Sequence, residues 1–192
     1  PEKTTAWCQK WFKYLKNHPL TGNQLPRLGT AGLVSSMQMR GMLSTKNYNY
    51  GQYKDFNDVC GETLAEDFNI VNKGCLTCPI KCARTVDVKG KEVKGPELET
   101  LGLLGGGILN SNMYDILKWN YEIDELGMDA ISASSTLAWA MEANEKGLWD
   151  NGLKFGDTDN ISQIWDDIAH RRGIGDELAN GSKRLSEKYG GT

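Results

Sequence analysis

Three closely spaced cysteines are the residues of this chain with the clearest capacity for chemistry. Cys75, Cys78 and Cys82 form a C-x2-C-x3-C pattern directly after Gly74. Glycine permits unusual backbone angles, and Pro79 suits the first turn of a short helix. Such a helix would bring Cys78 and Cys82 to one side, near an N-terminus that favours thiolates. The pattern predicts a metal site, and an iron–sulfur cluster there would need a fourth ligand from elsewhere.

Two other kinds of cysteine site stay open on spacing alone. A structural zinc ion is one, although no second C-x2-C pair and no nearby histidine completes the site. A redox-active dithiol is the other, although no βαβ pattern surrounds the cysteines. Cys8 and Cys60 lie on predicted helix faces, where we expect them to be buried as apolar side chains. An odd total of five cysteines argues against a secreted disulfide scaffold and favours a reducing, cytoplasmic location.

Carboxylates form a second group of candidate site residues. Glu97 and Glu99 begin a predicted helix, where Glu97 complements the helix dipole. Asp124 ends another helix, Gly127 suits a left-handed C-terminal cap, and Asp129 suits the N-cap of the next helix. From residue types alone, a helix–turn–helix explains Asp124 to Asp129, and a solvated glutamate explains Glu99.

Hydrophobic periodicity predicts a mainly α fold, arranged as one helical domain over residues 1–192. A short hairpin is predicted near 85–94, around a turn at 89–91, and an extended loop over 41–53. One predicted helix begins near residue 26. The other predicted helices cover 4–17, 55–67, 96–104, 113–126, 130–146, 161–171 and 176–189.

Composition excludes several classes of function. The formal charge is −3, from 22 basic and 25 acidic residues, and no basic block indicates nucleic-acid binding. No apolar run approaches the roughly 18 residues of a membrane span.

The glycines from Gly102 to Gly107 match neither of the nucleotide-binding patterns G-x-G-x-x-G and G-x4-G-K-S/T, so we expect close helix packing near a cofactor there. Tryptophan and methionine side chains are expected in the core.

Three segments together resemble the aldehyde ferredoxin oxidoreductase family. They are the cysteine segment 74–82, the G-P-E-x-E segment 95–100, and the D-x-x-G-x-D segment 124–129, in which Met128 replaces the more usual leucine. The similarity extends over about 41–189 and matches the second, helical domain of the family's three. The resemblance implies a piece of a longer protein, cut at both ends, without the pterin-platform domain and the third domain.

The resemblance also implies cofactors and residue roles. A 4Fe–4S cluster is expected on Cys75, Cys78 and Cys82, with a fourth cysteine from the third domain. Tungsten or molybdenum would lie between two pterins, and Glu99 would face it as the catalytic residue. The implied pterin-binding residues are Asp124, Gly127, Met128 and Asp129.

The expected activity is oxidation of an aldehyde to a carboxylic acid, with ferredoxin as electron acceptor and under anaerobic conditions. Some relatives instead reduce aromatic-ring thioesters, and a helical scaffold protein with zinc is the alternative outside the family. This chain alone is expected to be inactive, and a homo-oligomer is open for the longer protein. Lys118 and Tyr121 stand where some members carry an E-x-x-H iron site at a dimer interface, so no bridging iron is predicted.

Overall fold

The computed structural model describes residues 2–191, and Pro1 and Thr192 lie outside it. Helices dominate this part of the chain, as predicted. The α-helices are α1 Glu2–Asn17, α2 Leu25–Leu28, α3 Leu33–Met39, α4 Gly61–Asp67, α5 Leu98–Leu104, α6 Met113–Glu125, α7 Ala130–Glu145, α8 Ile161–His170, α9 Ile174–Leu178 and α10 Gly181–Tyr189. A π-helical segment, Pro19–Gln24, precedes α2, and the 3-10 turns are Thr30–Gly32, Phe56–Val59 and Gly106–Ile108.

A small antiparallel sheet supplies the β structure, with strands β1 Val71–Lys73, β2 Ala83–Val88 and β3 Lys91–Lys94. The predicted hairpin is confirmed as β2 and β3, whose central pair is Val86 and Val93. Its turn contains Lys89 and Gly90, both at positive φ. We did not predict β1, because three exposed residues give no usable alternation of apolar and polar side chains. Pairing of β1 with β2 closes the cysteine segment into a loop.

The core lies where α5, α6, α7 and α8 pack together. Trp119 and Trp165 are among its largest fully buried side chains, together with Leu137. The glycine-rich segment after α5 allows this packing: a Cβ on Gly105 would lie 2.5 Å from the Leu101 carbonyl oxygen and 3.0 Å from Val59. The glycine therefore allows α5 to end close against the 3-10 turn that contains Val59, whereas the expected nearness to a cofactor stays a prediction.

Three predicted helices are interrupted, two of them at glycines with positive φ. The helix expected from residue 26 is broken at Gly29, with φ of 61°, and the one expected over 176–189 is broken at Gly181, with φ of 81°. In the third, Cys60 adopts an extended conformation that separates a 3-10 turn from α4. Only glycine adopts positive φ at little cost, which explains why helical periodicity failed to locate these breaks.

Helix α1 differs from the other long helices because it buries no side chain. The expectation of core tryptophans is therefore wrong for Trp7 and Trp11, which are 59% and 54% exposed. The same expectation for methionines is wrong for Met39 and Met42, which are also exposed. Cys8 is also exposed, against expectation, whereas Cys60 is buried as predicted. A helical period predicted the helix correctly, but periodicity cannot tell what covers an apolar face. Within residues 2–191, no helix is long and apolar enough to cross a membrane.

Candidate functional site

The cysteine loop, residues 74–82, joins β1 to β2. Its two ends are held together because Lys73 pairs with Ala83 across the strands. Gly74 contributes by its small size rather than by an unusual angle: a Cβ there would lie 2.8 Å from the Lys81 Cα, and its φ is not positive. Thr77 and Lys81 instead carry the positive φ values of the loop, 65° and 52°. The loop is thus a compact hairpin connection.

The short helix expected after Pro79 is not formed. Turns and bends occupy the loop, and the Cys78 N–H donates to the Cys75 carbonyl at 3.0 Å. The two positive φ values are incompatible with a continuous helix. Cys75 and Cys82 are exposed and Cys78 is partly buried. Across residues 2–191, no three His, Cys, Asp or Glu side chains are grouped closely enough to hold a metal ion.

The surroundings of the loop nevertheless suit anionic sulfur. Hydrogen bonds from the backbone N–H groups of Ile80 and Lys81 lower the pKa of the Cys78 thiol. At the end of the loop, the buried Arg84 donates through Nη2 to the Cys82 carbonyl at 2.8 Å. Backbone and guanidinium donors near thiolates are the kind of environment that iron–sulfur ligands require. The donor set therefore fits a cluster.

A cavity of about 200 Å³ lies between the end of β3, the start of α5 and the turn between α6 and α7. We call it the acidic cavity, because four carboxylate residues contribute to its wall against a single lysine. Its lining residues are Lys94, Gly95, Glu97, Glu99, Thr100, Asn120, Asp124, Met128, Asp129, Ala130 and Ile131. Two segments that are about 25 residues apart in sequence, 95–100 and 124–129, thus meet around one space.

The turn after α6 has the local geometry that the sequence predicts. Gly127 takes φ of 69° and its N–H donates to the Asp124 carbonyl, as in a left-handed C-terminal cap. Asp129 caps α7 by accepting from the Ser132 N–H at 2.7 Å. Hydrogen bonds from the Ser132 side chain and then its backbone lower the pKa of Asp129. Gly127 shapes the turn but does not line the acidic cavity, whereas Asp124, Met128 and Asp129 do.

Glu97 and Glu99 have different environments at the start of α5. Glu97 is the N-cap residue and lies 3.8 Å from the Lys94 ammonium. Glu99 is in the first turn and exposed, and its carboxylate has no hydrogen bond or ion pair to any residue from 2 to 191. The Asp124 carboxylate likewise has no hydrogen bond or ion pair to any residue from 2 to 191. The acidic cavity therefore presents two carboxylates that are available to a bound group.

Several lining residues were not predicted as site residues, among them Lys94, Thr100 and Asn120. Asn120 is buried and donates through Nδ2 to the Lys94 carbonyl at 2.9 Å, which ties the end of β3 to α6. Asn120 precedes Asp124 by four residues, so both lie on one face of α6. A polar residue one turn before a candidate ligand is a signal that could have found it.

Two larger grooves, each of about 560 Å³, follow α7 and α10. Serine hydroxyls and charged side chains line them, and none of the predicted site residues does. Ile131 lines both the acidic cavity and one of these grooves. The predicted carboxylate residues therefore line the smaller acidic cavity and neither of the two larger grooves.

The two side chains that replace the E-x-x-H pair have partners within the chain. Lys118 lies 3.7 Å from Glu122, one turn on along α6. Tyr121 accepts a hydrogen bond from the Lys91 ammonium, which also lies over its ring at 4.4 Å from the centroid. This face of α6 thus contacts the β2–β3 hairpin.

Residues 6–192 match the family model described as aldehyde ferredoxin oxidoreductase, domains 2 and 3. The match covers nearly all of the chain and includes the cysteine loop and both walls of the acidic cavity. The chain belongs to the aldehyde ferredoxin oxidoreductase family. The segments that carry the resemblance to the family are the ones that the structure brings to these two places.

Curated relatives in the aldehyde ferredoxin oxidoreductase family include tungsten-containing enzymes from Pyrococcus furiosus and Pyrococcus abyssi. They are 39% identical over 185 residues and 38% identical over 188 residues, respectively. The alignments cover 92% and 93% of this chain but only 30% and 31% of the relatives, so the chain spans about a third of their length. An aliphatic sulfonate oxidoreductase subunit from Pyrococcus furiosus is 28% identical over 58% of the chain and covers 19% of that relative.

A solved structure shares the fold of this family member. It is the BamBC active-site complex of benzoyl-coenzyme A reductase with 1,5-dienoyl-CoA, with a TM-score of 0.66 over 95% of this chain and 30% of the other. At 20% sequence identity the likeness concerns the arrangement of the chain. The likeness therefore shows a shared fold.

Proposed function

We propose that this chain is the part of a longer tungsten–pterin and iron–sulfur oxidoreductase that holds one side of both cofactors. The longer protein would oxidise an aldehyde to a carboxylic acid and reduce ferredoxin, as the names of the curated relatives indicate for those proteins. One observation carries the proposal. Glu99, Asp124 and Asp129 come from two separated segments and line one cavity, and the cysteine loop precedes that cavity on the same sheet.

The residues present fit the proposed cofactors chemically. Pterin rings carry N–H groups, and the carboxylates of Asp124 and Asp129 are acceptors for such donors. Cys75, Cys78 and Cys82 supply three thiolates, and a fourth ligand would come from outside this chain. When bound, the tungsten–pterin group would supply two-electron redox chemistry, and a cluster on the cysteines would supply one-electron transfer.

Glu99 has the position and chemistry of a proton acceptor. Conversion of an aldehyde and water into a carboxylic acid releases two protons and two electrons. A carboxylate at the reaction site can take the proton from water as its oxygen attacks the carbonyl carbon. Glu99 lines the acidic cavity and has no internal partner that would compete for this role. Glu97, by contrast, occupies the N-cap position of α5 without a side-chain capping bond, and its carboxylate lies 3.8 Å from the Lys94 ammonium, so it already has a partner.

The proposed partners follow from this reaction. A ferredoxin would receive the electrons, and a small aldehyde would occupy the space next to the acidic cavity. Low-potential iron–sulfur chemistry of this kind suits an anaerobic cytoplasm. Tungsten is preferred over molybdenum because four curated relatives are named as tungsten-containing proteins.

The test uses the longer protein that contains this chain, purified without oxygen. We expect iron, acid-labile sulfide and tungsten in the metal analysis, together with reduction of ferredoxin that depends on an added aldehyde. A protein that contains zinc, shows no visible iron–sulfur absorbance and reduces no acceptor would instead support the scaffold alternative. Reduction of an aromatic thioester without aldehyde oxidation would instead support the alternative that the protein is an aromatic-ring thioester reductase.

A further inference from the structure

Arg84 is a buried cation that the Glu97 carboxylate attracts only from beyond ion-pair distance. It is 4% exposed, and it forms no ion pair with any residue from 2 to 191. Its Nη2 donates to the Cys82 carbonyl, but its Nη1 is buried and has no acceptor in the same part of the chain. Burying a charge without compensation is costly, so such groups are normally paired. An anionic group bound nearby would supply the missing partner.

Two glycines make room for this side chain. A Cβ on Gly29 would lie 1.2 Å from Arg84 Nη2, and a Cβ on Gly95 would lie 2.8 Å from Arg84 Cγ. The stem of Arg84 therefore runs over Gly95, which lines the acidic cavity, and its head lies at Gly29, next to the end of the cysteine loop. The fold thus accommodates a guanidinium between the cysteine loop and the acidic cavity. An apolar side chain at this position would not have the free-energy cost of burying a charge.

A reduced iron–sulfur cluster is the anion that suits this position. Four thiolates give a cluster a net negative charge, and that charge becomes larger by one when the cluster accepts an electron. A fixed positive charge in a region of low dielectric constant favours the more negative state. Net charge and hydrogen bonds to sulfur are established determinants of cluster potential.

We propose that Arg84 is a fixed internal cation that raises the reduction potential of the cluster on Cys75, Cys78 and Cys82. This inference rests on the proposed function, because it requires the cluster to be there. Arg84 would also keep the end of the cysteine loop in place through the Cys82 carbonyl. Its charge, rather than its packing, is what would set the potential.

The experiment compares Arg84→Met and Arg84→Lys in the longer protein by potentiometric titration of the EPR signal of the reduced cluster. Methionine keeps much of the length and apolar stem but removes the charge, whereas lysine keeps the charge. We expect Arg84→Met to make one-electron reduction at least about tenfold less favourable, equivalent to a potential about 59 mV lower. The Arg84→Lys protein should remain within about threefold of the unaltered protein.

Arg40→Met is the matched control, because it removes an equal charge from an exposed position at the end of α3. Its potential should not change, since surface charges are screened by solvent and salt. If Arg84→Met leaves the potential unchanged, or if Arg84→Lys lowers it as far as Arg84→Met does, the proposal is overturned. An unaltered protein that contains no iron–sulfur cluster would overturn the proposed function itself, and this inference with it.

A second variant decides the question if Arg84→Met does not retain the cluster. Gly95→Ala adds a Cβ that would lie 2.8 Å from Arg84 Cγ, so it displaces the stem while the charge stays in the protein. A lower potential at full iron content would support the proposal. An unchanged potential at full iron content, or loss of iron in step with loss of folded protein, would refute it.

Discussion

Asp129 provides the most discriminating test of the acidic cavity, because it has both a structural and a proposed cofactor-binding role. Its carboxylate accepts from the Ser132 N–H at 2.7 Å and thereby caps α7. Loss of an N-cap typically costs about 1 kcal/mol. That amount is small against the roughly 5–15 kcal/mol that stabilise a domain, so Asp129→Ala should still fold. For a chain of this size we expect the midpoint of thermal unfolding to fall by about 2–4 °C.

Asp129→Asn separates the two roles, because asparagine is as good an N-cap as aspartate. It removes only the charge–dipole contribution, which is about 0.3–1 kcal/mol. A pterin N–H would lose a charge-assisted hydrogen bond, and such bonds are roughly twice as strong as neutral ones. We therefore expect the Asp129→Asn protein to have nearly normal stability but a reduced pterin and tungsten content.

Asn112→Ala is the matched control. Asn112 caps α6 by accepting from the Tyr114 N–H at 3.0 Å, and it does not line the acidic cavity. Removing this cap should cost a similar free energy of unfolding and leave the cofactor content normal. The measurements are pterin fluorescence after release, tungsten by mass spectrometry, and thermal unfolding followed by circular dichroism. If cofactor content follows helix stability in all three variants, Asp129 is only a cap and the reasoning fails.

The pH dependence of unfolding gives an independent check on the same residue. The folded state lowers the pKa of Asp129 below its usual 3.8. A carboxylate whose pKa is lowered by folding adds stability above its unfolded pKa and loses it as the pH falls through the folded value. The stability difference between the unaltered and Asp129→Asn proteins should therefore narrow as the pH falls below about 3.8. A difference that stays constant as the pH is lowered well below 3.8 would contradict the assigned hydrogen bonds.

Three further predictions concern other residues of the site and its frame. Cys78→Ser in the longer protein should remove or destabilise the cluster; full iron, sulfide and reduced-state EPR signal in this variant would show that Cys78 is no ligand. Glu99→Gln should lower kcat by about 10²–10⁴-fold while cluster and pterin stay bound, as general acid–base roles require; unchanged turnover would exclude that role. Glu142 is buried, and although burial opposes its ionisation, hydrogen bonds from Lys146, Asn49 and Asn47 lower its pKa overall. Glu142→Gln should cost about 1–3 kcal/mol near pH 7, and chemical unfolding should show this cost disappearing as the pH falls below 4.5.

Local patterns were sufficient for most of the helices and for the turn between α6 and α7. Gly127 and Asp129 specify a cap and an N-cap through their own backbone and side-chain preferences, so their roles are visible in six residues of sequence. The hairpin around Gly90 followed from the same kind of local signal. The candidate site residues in the two cavity-lining segments were also identifiable, through the family resemblance.

Long-range contacts account for what sequence patterns missed. Strand β1 exists because β2 offers it a pairing edge, and its own three residues give no signal. The breaks at Gly29 and Gly181 coincide with positive φ values, which the spacing of apolar residues does not predict. The exposure of Trp7 likewise depends on what packs against α1, a property of neighbouring elements rather than of the helix.

The difference between what local sequence patterns determine and what long-range contacts determine is clearest at Arg84. In the sequence it is one basic residue two positions after Cys82, and nothing in that spacing marks it as buried. In the folded chain the gaps left by Gly29 and Gly95, which are 66 residues apart, enclose its side chain beside the cysteine loop. Residue types and spacing identify which groups could do chemistry, because those properties are local. Which charges are removed from water, and which groups they face, depends on the packing of segments that are distant in the chain.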